Sequence, residues 1–412
     1  MKVDDLAGLR RAVDRRRNRS VFDDAMVASV RATLRSVRRG GDAAVLRSVT
    51  RFDRRSATIA DLWVDASSLR RAARSCPRGL RQALELAHRN LNAFHRLQRP
   101  KAIAHRGRGV RASLTPEPLH RIGGCVPRGT VGYPSTALMI GVPARIAGVA
   151  ELVLASPMPT DGAIDPVLAY AATLVGAHGL YRAGGAAAVG ALAYGTGSLR
   201  RVDKIVGPGN AFTTAAKWLV SADVGIDGLQ GPSELVIIAS ADADPAGIVL
   251  DLEAQAEHGA DAFAALVSDS PALLDTVAAV TRRIGTRRGS VGLFRAPSME
   301  AALDAVAYAA PEHVNLAGRA AVVLAARTRN AGAVFVGSRS AVAMGDYVVG
   351  TNHVLPTGGS ARWASALRVQ DFMRWTARVR AFGDQGRLAA AGAAVARYEG
   401  MEFHAASMEL RG

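Results

Sequence analysis

The chain has 412 residues, 49% of them hydrophobic and only 5% aromatic. It is long enough for two or three domains with cores built from Ala, Val, Leu and Ile. The formal net charge is +17, but no nucleic-acid-binding motif accompanies it, so we expect solvated basic faces and no nucleic-acid partner. Two cysteines are too few for a disulfide framework, and no apolar stretch reaches membrane-spanning length. These features favour a cytoplasmic protein without a membrane partner.

Helical periodicity dominates the amino-terminal part of the chain. Residues 1–20 are interpreted as a short basic arm. Apolar positions at helical spacing over 23–50 predict an amphipathic helix that ends near Gly40, with a second, short helix over 42–52. The same spacing over 67–98 predicts one long helix.

From residue 116 onward, short apolar runs alternate with glycine turns and helices. A helix starting near Pro134 would direct free backbone N–H groups at the preceding Gly- and Pro-rich loop, which suits a phosphate. Repeated strand, glycine turn and helix units over 120–220 indicate a parallel sheet of the dinucleotide-binding type. No GxGxxG motif is present, so an ordinary Rossmann site is not predicted.

A near-continuous apolar strand is predicted at 233–240. Asp244 can cap the helix that follows, which we expect to reach about His258 and to stop at Gly259. The alternation of strands and helices then continues, with a further helix predicted over 271–284.

The carboxyl-terminal part begins with a long glycine-rich loop over 340–359. Long loops of this kind in compact domains are often functional. A helix is predicted over 386–398. The order of elements along the whole chain is that of an α/β protein.

Gln255 and His258 are candidate metal ligands, because residues at i and i+3 of a helix share a face. Zinc accepts histidine nitrogen and also oxygen donors. Taken alone, a QxxH pair more often contains a hydrogen-bonded histidine than a metal ligand. Asp346 and His353, in the long loop, have turn chemistry as their simpler interpretation.

Glu312 and His313 form an adjacent acid and imidazole at a predicted turn. Such a pair can accept protons at different points of a substrate, and histidine is the natural base near neutral pH. The alternative is a pair that faces solvent at a helix end. For His404, near the carboxyl terminus, the alternative is a disordered tail.

Four segments taken together closely resemble the histidinol dehydrogenase family. They are IDGLQGPSELVIIASADADPAGIVLDLEAQAEHGAD, APEHVNL, GDYVVGTNHVLPTGG and YEGMEFH. The shorter segments YPSTALM, GALAYGT, DKIVGPGN and DVGID resemble the same family. The resemblance is dense over 120–404 and loose before it.

The resemblance implies a role for each matching residue. The zinc ligands that it implies are Gln255, His258, Asp346 and His404. The acid–base pair that it implies is Glu312 and His313. The substrate-binding residues that it implies are Ser233, Gln255, His258, His313, Asp346, His353, Glu399 and His404. Asn210 would contact NAD.

The resemblance also implies an activity and an assembly. The activity is oxidation of an amino alcohol, L-histidinol or an analogue, to the amino acid in two NAD-dependent steps. The assembly is a homodimer of incomplete Rossmann-like domains with exchanged arms. We expect one α/β domain from 21–125 and 233–368, and an NAD-type domain from 126–232. The arms would be 1–20 and 369–412, the latter completing the partner's site.

The sequence departs from the family at the expected cofactor site. Cys125 replaces a tyrosine, Arg128 a glycine and Ala187 a glutamine, while Gln230 replaces an alanine. Each lost contact weakens NAD binding by on the order of 1 kcal/mol, although Arg128 could pair with a pyrophosphate. Two interpretations stay open: a dehydrogenase with altered cofactor contacts, and a paralogue that uses the zinc site on a different substrate in a specialised pathway, without NAD.

Overall fold

The computed structural model describes residues 2–18, 22–53, 56–107, 109–281 and 289–412. Parts of two predicted elements lie outside these ranges. They are residues 1, 19 and 20 of the predicted arm and the last residues of the helix predicted over 271–284.

The strands of the described residues, in chain order, are β1 Val3–Asp5, β2 Trp63–Asp65, β3 Ile103–Gly107, β4 Val110–Pro118, β5 Arg121–Cys125, β6 Glu151–Ala155, β7 Gly179–Tyr181, β8 Lys204–Val206, β9 Gly225–Ile226, β10 Glu234–Ala239, β11 Phe263–Ser268, β12 Ser290–Arg295, β13 His313–Ala317, β14 Ala333–Val336 and β15 Met373–Ala381.

The α-helices of the same ranges are α1 Leu6–Asn18, α2 Asp24–Ser48, α3 Ala66–Ala73, α4 Arg78–Arg96, α5 Pro134–Ala147, α6 Pro166–Leu174, α7 Gly185–Tyr194, α8 Ala211–Val220, α9 Pro245–Ala256, α10 Pro271–Thr281, α11 Met299–Ala309, α12 Arg319–Val322, α13 Ala343–Tyr347, α14 Gly386–Tyr398 and α15 Glu402–Glu409.

One sheet, which we call sheet I, has the strand order β1-β12-β11-β10-β13-β14, and its strand pairs are parallel. The central strand β10 is buried on both faces. Val236 and Ile238 pack into one apolar cluster, whereas Leu235 and Ile237 pack into another. Burial on both faces explains why the sequence of β10 is a continuous apolar run rather than an alternating one.

A second sheet, sheet II, has the strand order β2-β7-β6-β5-β8-β9. Its pairs are parallel except for the antiparallel pair of β2 with β7. The helices α5, α7 and α8 begin after β5, β7 and β8 respectively, so their amino termini lie at the carboxyl edge of this sheet. The parallel sheet predicted over 120–220 is therefore confirmed.

The amino-terminal part of the chain joins the sheets differently from the predicted division. The prediction groups residues 21–125 with 233–368, but β2 pairs with β7 of sheet II, and α2 packs against α7 and α8. The predicted arm 1–20 instead contributes β1 to sheet I, and α1 packs against α11. Pairing of such short strands depends on neighbours far along the chain, which periodicity does not specify.

The prediction of one helix over 67–98 is wrong. Helix α3 ends at Ala73 and α4 begins at Arg78, with Pro77 in an extended conformation between them. Proline lacks the N–H that a helix interior requires and disfavours helical backbone at the residue before it. In α2, Gly41 has a φ of 49° and interrupts the helix, close to the predicted stop at Gly40.

The chain divides into two compact units. These are Met1–Gln98 with Leu119–Phe372, and Arg99–Pro118 with Met373–Gly412. The second unit contains the antiparallel strands β3, β4 and β15 and the helices α14 and α15. Helix α14 has the bounds predicted for it. Its apolar cluster with α15 is small and consists of Ala393, Ala396 and Ala405.

Cys76 and Cys125 are both buried free thiols. Across the part of the chain that the structure describes, no helix is both long and apolar enough to span a bilayer. The cytoplasmic location stays a prediction.

Candidate active site

The candidate active site lies at the amino-terminal edge of sheet I, where β10 and β13 begin side by side. Leu235 is paired with His313 in the parallel register. The residues just before them, Glu234 and Glu312, are therefore also neighbours. Helix α9 follows β10 and precedes the parallel strand β11, so its last turn returns to this same edge.

Glu312 is buried, with 8% of its surface exposed. Its Oε2 accepts hydrogen bonds from Ser233 Oγ at 2.5 Å and from the backbone N–H of Glu234 at 3.0 Å. Burial raises the pKa of Glu312 to about 7; the Asp346 carboxylate adds to the rise, and the two hydrogen bonds and His258 oppose it. A carboxyl group with a pKa near neutral can both accept and donate a proton under working conditions.

His313 is 3% exposed. Its Nδ1 lies 3.2 Å from the backbone oxygen of Glu234 and 3.5 Å from Oε2 of Glu312. Because a carbonyl only accepts, this contact assigns the proton to Nδ1 and leaves the lone pair on Nε2. Burial lowers the pKa of His313, although Asp346 opposes that effect. The neutral imidazole is thus held with a free basic nitrogen, as a general base requires.

Gln255 lies in the last turn of α9, which ends at Ala256 and not near His258 as predicted, and His258 lies two residues beyond the helix. Nδ1 of His258 donates to the backbone oxygen of Ala254 at 3.1 Å, which leaves Nε2 as the nitrogen that can bind a metal. The Gln255 side chain is 3% exposed, and its Nε2 has no hydrogen-bond partner among the described residues. A buried amide without a partner is costly, and a half-turn of the amide would present its oxygen instead.

Asp346 and His353 complete this part of the site. The backbone oxygen of Asp346 accepts a hydrogen bond from Nδ1 of His353 at 2.8 Å, and Nε2 of His353 lies 3.4 Å from Thr136 Oγ1. Burial lowers the pKa of His353; Asp346 opposes this, and His313 and His258 add to it. The charge of Asp346 acts on Glu312, His313 and His353 alike. Because Coulomb interactions weaken with distance, these side chains share one region with the acid–base pair.

Glu399 and His404 belong to the second unit. Glu399 follows α14 directly, His404 lies in α15, and both are exposed. Within the described residues, no group of three or more His, Cys, Asp and Glu side chains could hold a metal ion. Gln255, one of the predicted ligands, is not one of these four residue types. The first unit offers one amide, one imidazole and one carboxylate from the predicted ligands, a donor set that fits zinc.

The predicted NAD residues lie near the carboxyl edge of sheet II and differ in exposure. Asn210 is exposed and caps α8, with its Oδ1 accepting from Thr213 N at 3.0 Å. Arg128 is half-buried and donates to a backbone oxygen two residues on, at 3.3 Å. Cys125 and Ala187 both lie in the apolar core, and burial raises the pKa of the Cys125 thiol to about 11. The helix amino termini fit a pyrophosphate, whereas Cys125 and Ala187 offer a cofactor little surface.

Gln230 has a structural role in this chain. Its Oε1 accepts a hydrogen bond from Lys217 Nζ at 2.8 Å. Lys217 also forms an ion pair with Asp227 and donates to the backbone oxygen of Gly207 at 3.0 Å. The buried ammonium group therefore joins the turn before α8 to the segment that leads into β10.

Glu234 is a site residue that the sequence analysis missed. Its backbone N–H donates to Glu312, and its backbone oxygen accepts from His313. Its Oε2 accepts from the backbone N–H of Gly358 at 3.1 Å. Burial and the neighbouring Glu312 raise the pKa of Glu234 to about 7. The only signal in the sequence is its place between Ser233 and the apolar strand, because two of its three contacts use the backbone.

The fold and the site together define a class of protein. It is an α/β enzyme with two largely parallel sheets, an acid–base pair buried at the edge of one and helix amino termini gathered at the edge of the other.

The histidinol dehydrogenase family model matches residues 15–412. The histidinol dehydrogenase of Gluconobacter oxydans is 40% identical over 406 residues, which cover 94% of this chain and 94% of that protein. The Ruegeria pomeroyi histidinol dehydrogenase is 42% identical over 401 residues, with coverages of 94% and 92%. The crystal structure of histidinol dehydrogenase from Elizabethkingia anophelis matches with a TM-score of 0.88 at 29% identity, covering 95% of this chain and 93% of that one. The chain belongs to the histidinol dehydrogenase family and is an oxidoreductase of that type.

Proposed function

We propose that this protein is a zinc- and NAD-dependent dehydrogenase that oxidises L-histidinol, or a closely related amino alcohol, to the amino acid in two steps. The observation that carries the proposal is the buried Glu312–His313 pair, held by Ser233 and Glu234 beside His258. Membership of the family supports the reaction class.

The two steps need proton acceptors at different points. In the first oxidation, the free Nε2 of His313 takes the hydroxyl proton as the carbon loses a hydride and becomes an aldehyde. Glu312 then takes a proton from the water that adds to the aldehyde, and its pKa near 7 suits that task. As the water adds, the protonated His313 returns its proton to the carbonyl oxygen. Its Nε2 is then free to accept a hydroxyl proton of the hydrate as the second hydride leaves and the acid forms. NAD, when bound, accepts the hydride of each oxidation.

The residues that would hold zinc are Gln255, His258, Asp346 and His404. Three of these residues, all in the first unit, support the assignment. Gln255 has a buried amide nitrogen without a hydrogen-bond partner, His258 has a free Nε2, and the Asp346 carboxylate is nearby. Zinc, when bound, would orient the amino alcohol and polarise its hydroxyl group. Ser233, His353 and Glu399 would bind the substrate around it.

We also infer a homodimer in which His404 and Glu399 complete the partner's site. Exposed apolar side chains in the second unit support a covering second copy: Tyr398 is 93%, Phe403 91% and Leu410 83% exposed. Mixing inactive Glu312→Gln and His404→Ala subunits tests the exchange. Mixed dimers should regain activity because one of their two sites is intact, and mixtures that stay inactive would contradict the shared site.

A second candidate function is oxidation or another reaction of a different substrate without NAD. It is favoured by the burial of Cys125 and Ala187, the positions at which the family usually offers NAD a ring and an amide. Calorimetric titration with NAD separates the two candidates. Saturable binding of NAD removes the support for the second candidate function. The absence of any heat of NAD binding in the metal-loaded protein removes the support for the first.

The direct test is NADH absorbance after purified protein is mixed with L-histidinol and NAD. His313→Ala and Glu312→Gln should each lose activity by about a hundredfold or more, the usual size of a general acid–base contribution. His120→Ala is the matched control, because His120 is exposed on the first unit. Failure of the zinc-loaded wild-type protein to form NADH would overturn the proposal.

A further inference from the structure

Arg17, in the last turn of α1, contacts the end of α11. Its Nη2 donates to the backbone oxygen of Tyr308 at 2.7 Å and to that of Ala309 at 2.9 Å. The last carbonyls of a helix have no partner within the helix, so a guanidinium group there satisfies them. Ala310 then turns the chain with a φ of 43°, and Glu312 follows two residues later. The contact therefore lies directly before the acid–base pair.

Other side chains of α1 hold the same turn. The guanidinium carbons of Arg17 and Arg10 lie 5.2 Å and 5.4 Å from the centre of the Tyr308 ring. The Tyr308 hydroxyl donates to Asp14 Oδ1 at 2.6 Å. Three residues spaced along α1 thus fix one tyrosine, and with it the last turn of α11.

Arg17 also lies against the turn that binds Glu234. Gly359 has a φ of 79°, and a Cβ atom there would lie 2.7 Å from Nη2 of Arg17. The preceding residue, Gly358, donates its backbone N–H to Glu234 Oε2. Only a residue without a side chain lets the guanidinium group approach this closely.

Arg16, the neighbouring residue, contacts the segment that follows α9. Its Nη2 donates to the backbone oxygen of Asp261 at 2.7 Å, and its guanidinium carbon lies 5.0 Å from the centre of the Phe263 ring. Asp261 comes three residues after His258. Adjacent residues on a helix point about 100° apart, so one helix end reaches both segments that carry the site.

We propose that Arg16 and Arg17 are positioning residues, which fix the chain segment before Glu312–His313 and the segment after His258 relative to each other. The catalytic role of the two segments rests on the proposed function. The contacts of Arg16 and Arg17 with these segments are independent of it. Displacing a reacting group by about 1 Å can cost about a hundredfold in rate. Loosening either segment should therefore lower kcat more than it raises KM, because the rate depends more steeply than binding on the exact position of the reacting groups.

The test compares Arg17→Ala, Arg17→Lys and Arg16→Ala with Arg15→Ala, an exposed position in the same turn of α1. We expect kcat with L-histidinol to fall by about tenfold to a hundredfold in Arg17→Ala, with KM within about threefold of wild type. Arg17→Lys should recover part of the loss, because an ammonium group still donates to the two carbonyls. Arg15→Ala should behave as wild type.

Hydrogen exchange followed by mass spectrometry supplies a readout that needs no activity. Arg17→Ala should exchange faster over residues 308–314, and Arg16→Ala over 258–263, with the rest of the chain unchanged. If wild type lacks histidinol activity, the proposed function fails and the exchange data alone decide this inference. Exchange and kcat in Arg17→Ala that match Arg15→Ala would overturn it. Should Arg17→Ala not fold, Arg16→Ala carries the comparison with Arg15→Ala, and exchange over 258–263 and kcat that both match Arg15→Ala would overturn the inference.

Discussion

Glu312→Gln should be more stable than the wild-type protein at alkaline pH, while its activity falls by about a hundredfold or more. The carboxyl group titrates at about 7 in the folded protein against an ordinary 4.5, chiefly because it is buried. Between those two values the folded protein holds a proton that the unfolded chain has released. Stability therefore falls as the pH rises through this window. At roughly 1.4 kcal/mol per pKa unit, the loss is about 3 kcal/mol.

Glutamine cannot ionise, yet its side-chain oxygen can still accept hydrogen bonds from Ser233 and from the backbone of Glu234. The variant should therefore lack the 3 kcal/mol loss while keeping most of the local contacts. It should also lower the pKa of Glu234, because the charge of Glu312 is the second cause of the rise there. After a cost of about 1 kcal/mol for weaker hydrogen bonds, the net gain at pH 8 is about 2 kcal/mol.

The assay is urea denaturation between pH 4.5 and 8.5, with a chelator present so that no metal charge acts on the carboxyl group. Glu300→Gln is the control, since Glu300 is exposed and its contact with Arg327 is a surface ion pair at 3.7 Å. The free energy of unfolding of the control should depend on pH as that of wild type does. If the free energy of unfolding of Glu312→Gln fell with pH as steeply as that of wild type across this range, the loss of stability would not come from the buried Glu312 carboxyl group, and the reasoning would be refuted.

Three further outcomes follow from the packing. Lys217→Ala leaves Asp227 buried without its cation and should lower the free energy of unfolding by about 3–5 kcal/mol in urea; a loss under about 1 kcal/mol would contradict the buried pair. Cys76 and Cys125 should react with a thiol reagent at pH 8 only as the protein unfolds, because burial raises the pKa of each. Ala187→Gln should overpack the core, cost about 1–3 kcal/mol and leave NAD affinity unchanged in calorimetry; tighter NAD binding would contradict the core position.

The alternation of strands and helices was predictable because its signals are local. The apolar run of β10 and the cap at Asp244 each act within a few residues, although α9 ends at Ala256 and not at the predicted Gly259. The stretches that escaped prediction depend on distant partners. Strands β1 and β2 have three residues each and exist only through β12 and β7.

The candidate site divides in the same way. Residue type and resemblance suffice to nominate Glu312, His313 and His258. Glu234 acts largely through its own backbone groups, and Arg17 acts on the backbone oxygens of other residues. Residue type alone therefore does not mark either of them as a site residue. Arg17 in particular sits in a basic run that composition alone presents as a solvated face.

The most direct test of the account is the number of NADH molecules formed per molecule of L-histidinol consumed by the zinc-loaded wild-type protein. The account predicts two, with the amino acid as the product, because His313 serves both oxidations and Glu312 the hydration between them. Formation of one NADH with accumulation of the aldehyde would contradict the role of Glu312, and formation of none would contradict the proposed reaction.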